Sequence, residues 1–224
     1  MSSPKPSTPR PEGHGVPPAV VSRLSRYLRE LQHLVDNGTQ TTSSNQLGVR
    51  LGFTDAQVRK DLAHFGQFGH PGIGYRCDEL IAEIRKILGT DRRWSVALMG
   101  AGNLGRALLG YRGFESQGFR IVAAFDPDPA KAGSKVEGVE VYGIHRLAEL
   151  VSSLRIELGM VAAPAPHAQT AADQLVAAGV SGILNFAPVT VSVPVGVSMV
   201  SVDLARELEQ VTFAVVTRLR AEAS

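Results

Sequence analysis

Residues 96–108 read VALMGAGNLGRAL. A short apolar run leads into glycines at G-x-G-x-x-G spacing, and residues that favour helix follow. That order predicts a strand, a tight turn and a helix, the arrangement that seats a dinucleotide pyrophosphate. Gly100 permits the turn, Gly102 lets the main chain approach the pyrophosphate, and Gly105 lets helix pack closely on strand. Amides opening the helix at Asn103 face the phosphates.

The motif alone is a weak signal, but its context tests it. The next apolar run, FRIVAAF at residues 119–125, has to end in an acidic residue if the ligand is NAD. Asp126 stands there, 21 residues after Gly105, where a carboxylate meets the adenosine ribose hydroxyls. A carboxylate in that place repels a 2′-phosphate, which favours NAD(H) over NADP(H). Further strands are expected at VEVYG (139–143), ELGMVAA (157–163), SGILNF (181–186) and VSMVSV (197–202), with a helix near Ala168–Ala178 that Gly179 ends. Strand, turn and helix in repetition predict an α/β fold with a Rossmann-type parallel sheet over residues 94–202. Asn185, Phe186, Ala187 and Pro188 fall at a strand end, as nicotinamide-side candidates or as a plain strand-to-loop exit. Residues 203–224 form a last helix with Leu204, Leu208, Val211, Val215 and Leu219 in one stripe, broadened by Phe213 and Val216. So wide an apolar face must be covered, by its own domain or by a partner subunit.

Upstream, a different pattern holds. Val20, Val21, Leu24, Tyr27, Leu28, Leu31, Leu34 and Val35 repeat at helical spacing, and Asp36-Asn37-Gly38 stops that helix. Ser43 and Gln46 have capping-box spacing for a short second helix that Gly52 closes. Thr54 caps a third, with Val58, Leu62 and Phe65 inward. Gln57, Arg59, Lys60 and His64 leave by other faces. Short helices joined by a tight turn, with polar and basic residues free near the start of the second, follow the helix-turn-helix plan. In GQFGHPGIGYR (66–76) Phe68, Ile73 and Tyr75 resemble strand residues around a Pro71-Gly72 turn, so a hairpin wing is expected to bring His70 to DNA. Gln57 and Arg59 suit base edges and Lys60 a phosphate. Residues 17–77 are thus read as a winged-helix DNA-binding domain, and 78–93 as a linker helix and junction.

Composition agrees with an ordinary globular chain: 224 residues, 44% hydrophobic, 20% charged, net charge +2. The charge is uneven, +4 over residues 1–93 and −2 over 94–224, which suits a polyanion partner for the first part. No apolar run reaches the roughly 18 residues of a membrane span. Residues 1–16, rich in Pro and Ser, have no signal-peptide core and read as a disordered tail. The single Cys77 allows no intramolecular disulfide, and the six histidines show no metal-ligand spacing. A cytoplasmic location is expected.

Hydride transfer would need a second wall with an acid or base and a substrate pocket. No stretch remains to build one, so no catalytic residue is assigned and the dinucleotide reads as a signal. An oxidoreductase with a helical dimerisation element, or a CoA- or nucleotide-binding regulatory module, are the other readings. The runs SSNQLG, AQVRKDLAHFGQFG, GIGYR, GAGNLGRAL, FDPDP, GVSGILNFAP and VDLARELE resemble, in the same order, the landmarks of the Rex family of redox-sensing repressors, over roughly residues 17–215. The resemblance implies a homodimer with exchanged C-terminal helices on an inverted-repeat operator, released by NADH, with NAD+ competing. It implies that Gly100, Ala101, Gly102, Asn103, Leu104 and Gly105 hold the pyrophosphate and Asp126 the ribose. The DNA-side candidates are Ser44, Gln57, Arg59, Lys60, His70 and Tyr75. Arg29, Tyr111 and Asp203 match residues that exchange partners between two states. The resemblance implies a more basic wing tip, as in many of the family, where this chain has His70-Pro71.

Overall fold

The computed structural model describes residues 16–69 and 73–222. The chain divides into two compact units between Asp91 and Arg92.

In the first unit, α1 (Pro18–Asp36) buries Val20, Leu24, Tyr27, Leu28, Leu31 and Leu34 along one stripe. Val21 and Val35, expected in that stripe, are exposed at its margins. Gly38, at φ +78°, turns the chain out of the helix. After β1 (Thr41–Thr42), α2 (Ser44–Leu51) begins in the expected capping box. The Gln46 amide donates to Ser43 Oγ at 3.1 Å, and the Ser43 amide donates to Gln46 Oε1 at 2.9 Å. A left-handed Gly52 closes it, and Thr54 caps α3 (Asp55–Ala63). β2 (Tyr75–Arg76) and α4 (Cys77–Leu88) complete the unit.

Two expectations change here. β2 pairs antiparallel with β1, Thr42 opposite Tyr75, and Phe68 lies outside any strand. The pairing runs to a segment before α2, which local spacing does not reveal. Gly74, at φ +87°, fits because a Cβ there would overlap the Thr42 carbonyl. Residues 70–72, and with them His70 and the Pro71-Gly72 turn, lie outside the described residues. The second change concerns α4, read from sequence as a linker. Its Cys77, Leu80 and Ile84 are buried in one core with α1, Leu47, Val58 and Leu62, so the helix belongs to the head.

The second unit begins with β3 (Trp94–Met99), α5 (Asn103–Leu109), α6 (Gly113–Ser116) and β4 (Phe119–Asp126). β5 (Lys135–Val136), β6 (Val139–Gly143), α7 (Leu147–Ser153), β7 (Leu158–Val161) and α8 (Ala165–Ala177) follow. Then come β8 (Gly182–Asn185), β9 (Ser198–Ser201) and α9 (Leu204–Glu222). The described strands form one sheet in the order β5-β6-β4-β3-β7-β8-β9, parallel except for β5. Alternate residues of β3 serve opposite faces. Ala97 and Met99 pack with Phe125, Val161 and Leu175, while Val96 and Leu98 pack with Ala124, Val141 and Met160. Burial on both faces is why these strands read as continuous apolar runs.

No described residue of α9 is buried, and Leu208, Val211, Phe213 and Leu219 stand in solvent. No described helix is long and apolar enough to cross a membrane. Among the described residues, no group of three or more His, Cys, Asp or Glu side chains is placed to hold a metal.

Candidate functional site

From β3 the strand order runs outward both ways, to β4 and β6 on one side and β7, β8 and β9 on the other. The crevice beyond the carboxyl ends at such a reversal is where open α/β sheets take ligands. The glycine turn stands there. Gly100 has φ +98°, and a Cβ on it would lie 2.7 Å from the Ala162 carbonyl oxygen of the neighbouring strand exit. A Cβ on Gly105 would overlap the Gly100 carbonyl, so α5 reaches this close to β3 only without a side chain. At Gly102 a Cβ meets nothing within 4 Å. This is open space in front of the first turn of α5, the shape a pyrophosphate needs. Ala101 is buried, whereas Asn103 and Leu104 are exposed.

Asp126 ends β4 and is 5% exposed. Its Oδ2 accepts from the Ala101 amide at 2.8 Å and from Lys131 Nζ at 2.9 Å, and its Oδ1 accepts from the Asp128 amide at 3.0 Å. Burial opposes ionisation, but Lys131 and the two amides outweigh it and hold the carboxyl below its ordinary range. The structure thus brings Asp126 onto the glycine turn itself. Lys131 was not singled out in the sequence; its place in FDPDPAK, five residues after Asp126, was the available signal.

On the other side of β3, Asn185 closes β8 and is fully buried. Its amide nitrogen donates to the carbonyls of Ala187 at 3.2 Å and Val189 at 3.1 Å, and its Oδ1 accepts from the Ala187 amide at 2.9 Å. The strand exit is therefore a built turn.

In the head, a buried carboxylate organises the helices. Asp61 on α3 accepts from Arg23 Nε at 2.6 Å and Nη2 at 2.9 Å, from the Tyr27 hydroxyl at 2.8 Å and from Gln57 Nε2 at 2.7 Å. Burial opposes its charge and these four donors overcome it, leaving its pKa lowered. Burial, with Asp61 beside it, raises Tyr27 well above the ordinary phenol range. Gln57, expected at base edges, turns its amide inward to this network instead. Arg59 stays exposed, donating to Asp55 Oδ2 at 2.7 Å and Ser44 Oγ at 3.2 Å. Lys60 is exposed as well. Tyr75, expected at DNA, has its ring packed in the head core and is 9% exposed, because pairing with Thr42 turns it under the strand. Asp61 was missed although a charge three residues after Val58, on the inward stripe, was visible.

Arg29 lies exposed on α1, and Tyr111 is exposed with its ring 4.9 Å from that of Phe114. Asp203 caps α9, its Oδ1 accepting from the amides of Ala205 at 3.0 Å and Arg206 at 3.2 Å.

Family models place a "Putative DNA-binding protein N-terminus" over residues 15–63 and a "CoA binding domain" over residues 91–189. The chain is 48% identical over 202 residues to the redox-sensing transcriptional repressor Rex of Carboxydothermus hydrogenoformans, covering 90% of this chain and 97% of that protein. The chain belongs to the Rex family of redox-sensing transcriptional repressors. The Rex of Streptomyces avermitilis is 41% identical, over 95% of this chain and 84% of its own length. The structure of RSP, a Rex-family repressor, with β-NAD+ and operator DNA superposes with a TM-score of 0.85 at 36% identity, covering 95% of this chain and all of RSP. RSP with β-NADH gives 0.83 at 35% identity, covering 93% and 99%. The fold is that of Rex, a winged helix-turn-helix unit followed by a Rossmann-type unit. The helical head of the runner-up reading is therefore a DNA-binding fold, and the matched relatives are named as repressors.

Proposed function

We propose that this chain represses transcription by holding operator DNA through its first unit, and that it leaves the operator when its second unit holds NADH. NAD+ competes for the same place. The observation that carries this reading is the glycine turn with Asp126 at the sheet's switch point, in a chain whose other unit is a winged helix-turn-helix. The open space at Gly102 fits a pyrophosphate, lined by residues Gly100 to Gly105, and Asp126 meets the adenosine ribose. The bound dinucleotide supplies no chemistry here beyond a difference in affinity for two protein shapes.

Arg59, Lys60 and Ser44 form the DNA-facing surface, and His70 belongs to it on sequence grounds. Two heads on an inverted repeat require a dimer. The exposed apolar face of α9 supports the view that a second copy covers it, with the helices exchanged. Arg29, Tyr111 and Asp203 couple the units. Moving Asp203 to a new partner would uncap α9, at a cost of about 1 kcal/mol, a term the NADH-holding shape has to offset. Shifting the operator-free share from 1% to 99% takes about 5.5 kcal/mol of differential binding. The protein works in the cytoplasm, where DNA and the dinucleotide pool meet.

The test is fluorescence anisotropy of a labelled inverted-repeat duplex, titrated with NADH and separately with NAD+. Release by NADH at concentrations where NAD+ does nothing supports the reading. Tight DNA binding indifferent to both would leave a transcription factor with some other ligand, CoA being the first to try.

A further inference from the structure

A bare aspartate at the end of β4 would refuse a 2′-phosphate by charge alone. Asp126 is not bare. The Lys131 ammonium rests on its Oδ2 at 2.9 Å, in an ion pair whose carboxylate is almost fully buried while the lysine remains over a third exposed. Together the two groups present no net charge to whatever occupies the ribose position. The hydrogen-bond inventory sharpens the point. A carboxylate oxygen takes about two donors and an ammonium has three N–H groups. Among the described residues, Oδ2 is filled by Ala101 and Lys131, whereas Oδ1 accepts from the Asp128 amide alone. One acceptor position on Oδ1 and two donors on Lys131 are left for the ligand.

We propose that Lys131 is a specificity-determining residue of the dinucleotide site: it neutralises Asp126 and offers an ammonium to the 2′-oxygen, so that rejection of NADP(H) is set by the Asp126–Lys131 pair and not by the carboxylate alone. The proposal rests on the ribose reading of Asp126. An ammonium on a four-carbon stem can follow either a hydroxyl or a phosphate. Its removal should therefore strengthen discrimination, the reverse of what losing an ordinary ligand contact does. The residue acts on one end of the dinucleotide, away from the nicotinamide, and leaves the choice between NADH and NAD+ untouched.

Calorimetry of NADH and NADPH with the full chain tests this, with 2′-AMP and 5′-AMP as competitors that probe the adenosine end alone. Lys131→Met keeps the stem and removes the charge. The NADH-over-NADPH preference should rise about tenfold or more, since one unit charge close to the 2′-position is lost. Lys131→Arg should restore the original ratio. Asp126→Asn should move the ratio the other way, toward NADPH, and 2′-AMP should then compete better than 5′-AMP. A ratio that responds to Asp126→Asn but not to Lys131→Met overturns the proposal and keeps the ribose reading. A ratio indifferent to Asp126→Asn overturns the ribose reading itself. Should Lys131→Met unfold for want of a partner to the buried carboxylate, the double variant Asp126→Asn/Lys131→Met removes both charges. It should then lose the NADPH gain of Asp126→Asn alone; keeping that gain would equally overturn the proposal.

Discussion

The head and the sheet unit are each built around a buried aspartate, and the two are satisfied in opposite ways. Asp61 takes all its donors from side chains of its own fold, Arg23, Tyr27 and Gln57, reaching across from α1 and within α3. Nothing is left over. Asp126 takes two donors from main-chain amides and one from a half-exposed lysine, and keeps an acceptor position open beside the glycine turn. A buried carboxylate with every lone pair spoken for holds a structure together. One with an open acceptor position and a partly exposed partner is fitted to receive something.

The sharpest way to break this contrast is Asp61→Ala. The substitution leaves the Arg23 guanidinium, the Tyr27 hydroxyl and the Gln57 amide without their common acceptor. Removing one partner of a buried pair costs about 3–5 kcal/mol. The unfolding transition of the head should fall steeply in a thermal melt, and DNA binding with it, while NADH affinity in calorimetry stays within a factor of about two. An equal loss in both units would mean that Asp61 is not local to the head.

How far each aspartate was legible in the sequence follows from where its partners lie. The glycine turn and Asp126 belong to one strand-turn-helix-strand unit, so spacing alone brought them together. The caps at Ser43 and Thr54 were readable for the same reason, since a capping box spans three residues. Asp61 meets Tyr27 and Arg23 from 34 and 38 residues away, and no local pattern encodes that meeting. The same distance hid the pairing of β1 with β2, and hence the burial of Tyr75. Lys131 sits near Asp126 in the chain, but only the turn after β4 brings its ammonium back onto the carboxylate. Gln57 looked free on the helix because the acceptor one turn below it was itself unrecognised.

Arg59→Ala probes the head from its surface. Arg59 is held by Asp55 and Ser44 where solvent screens the pair, and such pairs contribute at most about 1 kcal/mol. The melt should hardly move. Operator affinity should fall by about 1–3 kcal/mol, roughly fivefold to 150-fold, with relaxed base preference where Arg59 lies. Cofactor affinity that fell in parallel would undo the separation of the two units.

Acid should act on both aspartates with one sign. Each has a folded-state pKa lowered from 3.8. A carboxyl depressed by folding contributes stability that is complete above its unfolded value and lost as pH falls through the folded one. Melts should therefore be flat above about pH 5 and decline below about pH 4. Asp61→Asn should shrink that decline in the head transition only, and Asp126→Asn in the sheet transition only, with the exposed Asp55 and Glu149 carboxyls leaving a smaller slope in each. If Asp61→Asn flattens both transitions, the two aspartates do not report on separate units.

The smallest effect expected is that of Lys60→Ala, which tests whether two neighbouring cations on α3 have different work. Lys60 stands exposed one residue beyond Arg59, a point charge suited to a phosphate and poor at bidentate base contacts. Losing one phosphate contact returns one counterion to the DNA, so the slope of log affinity against log salt should become shallower by about 1. Binding should weaken by the same factor on operator and on scrambled duplexes, and more visibly at low salt. A loss confined to the operator, with an unchanged slope, would instead place Lys60 on a base edge and make Arg59 the phosphate contact.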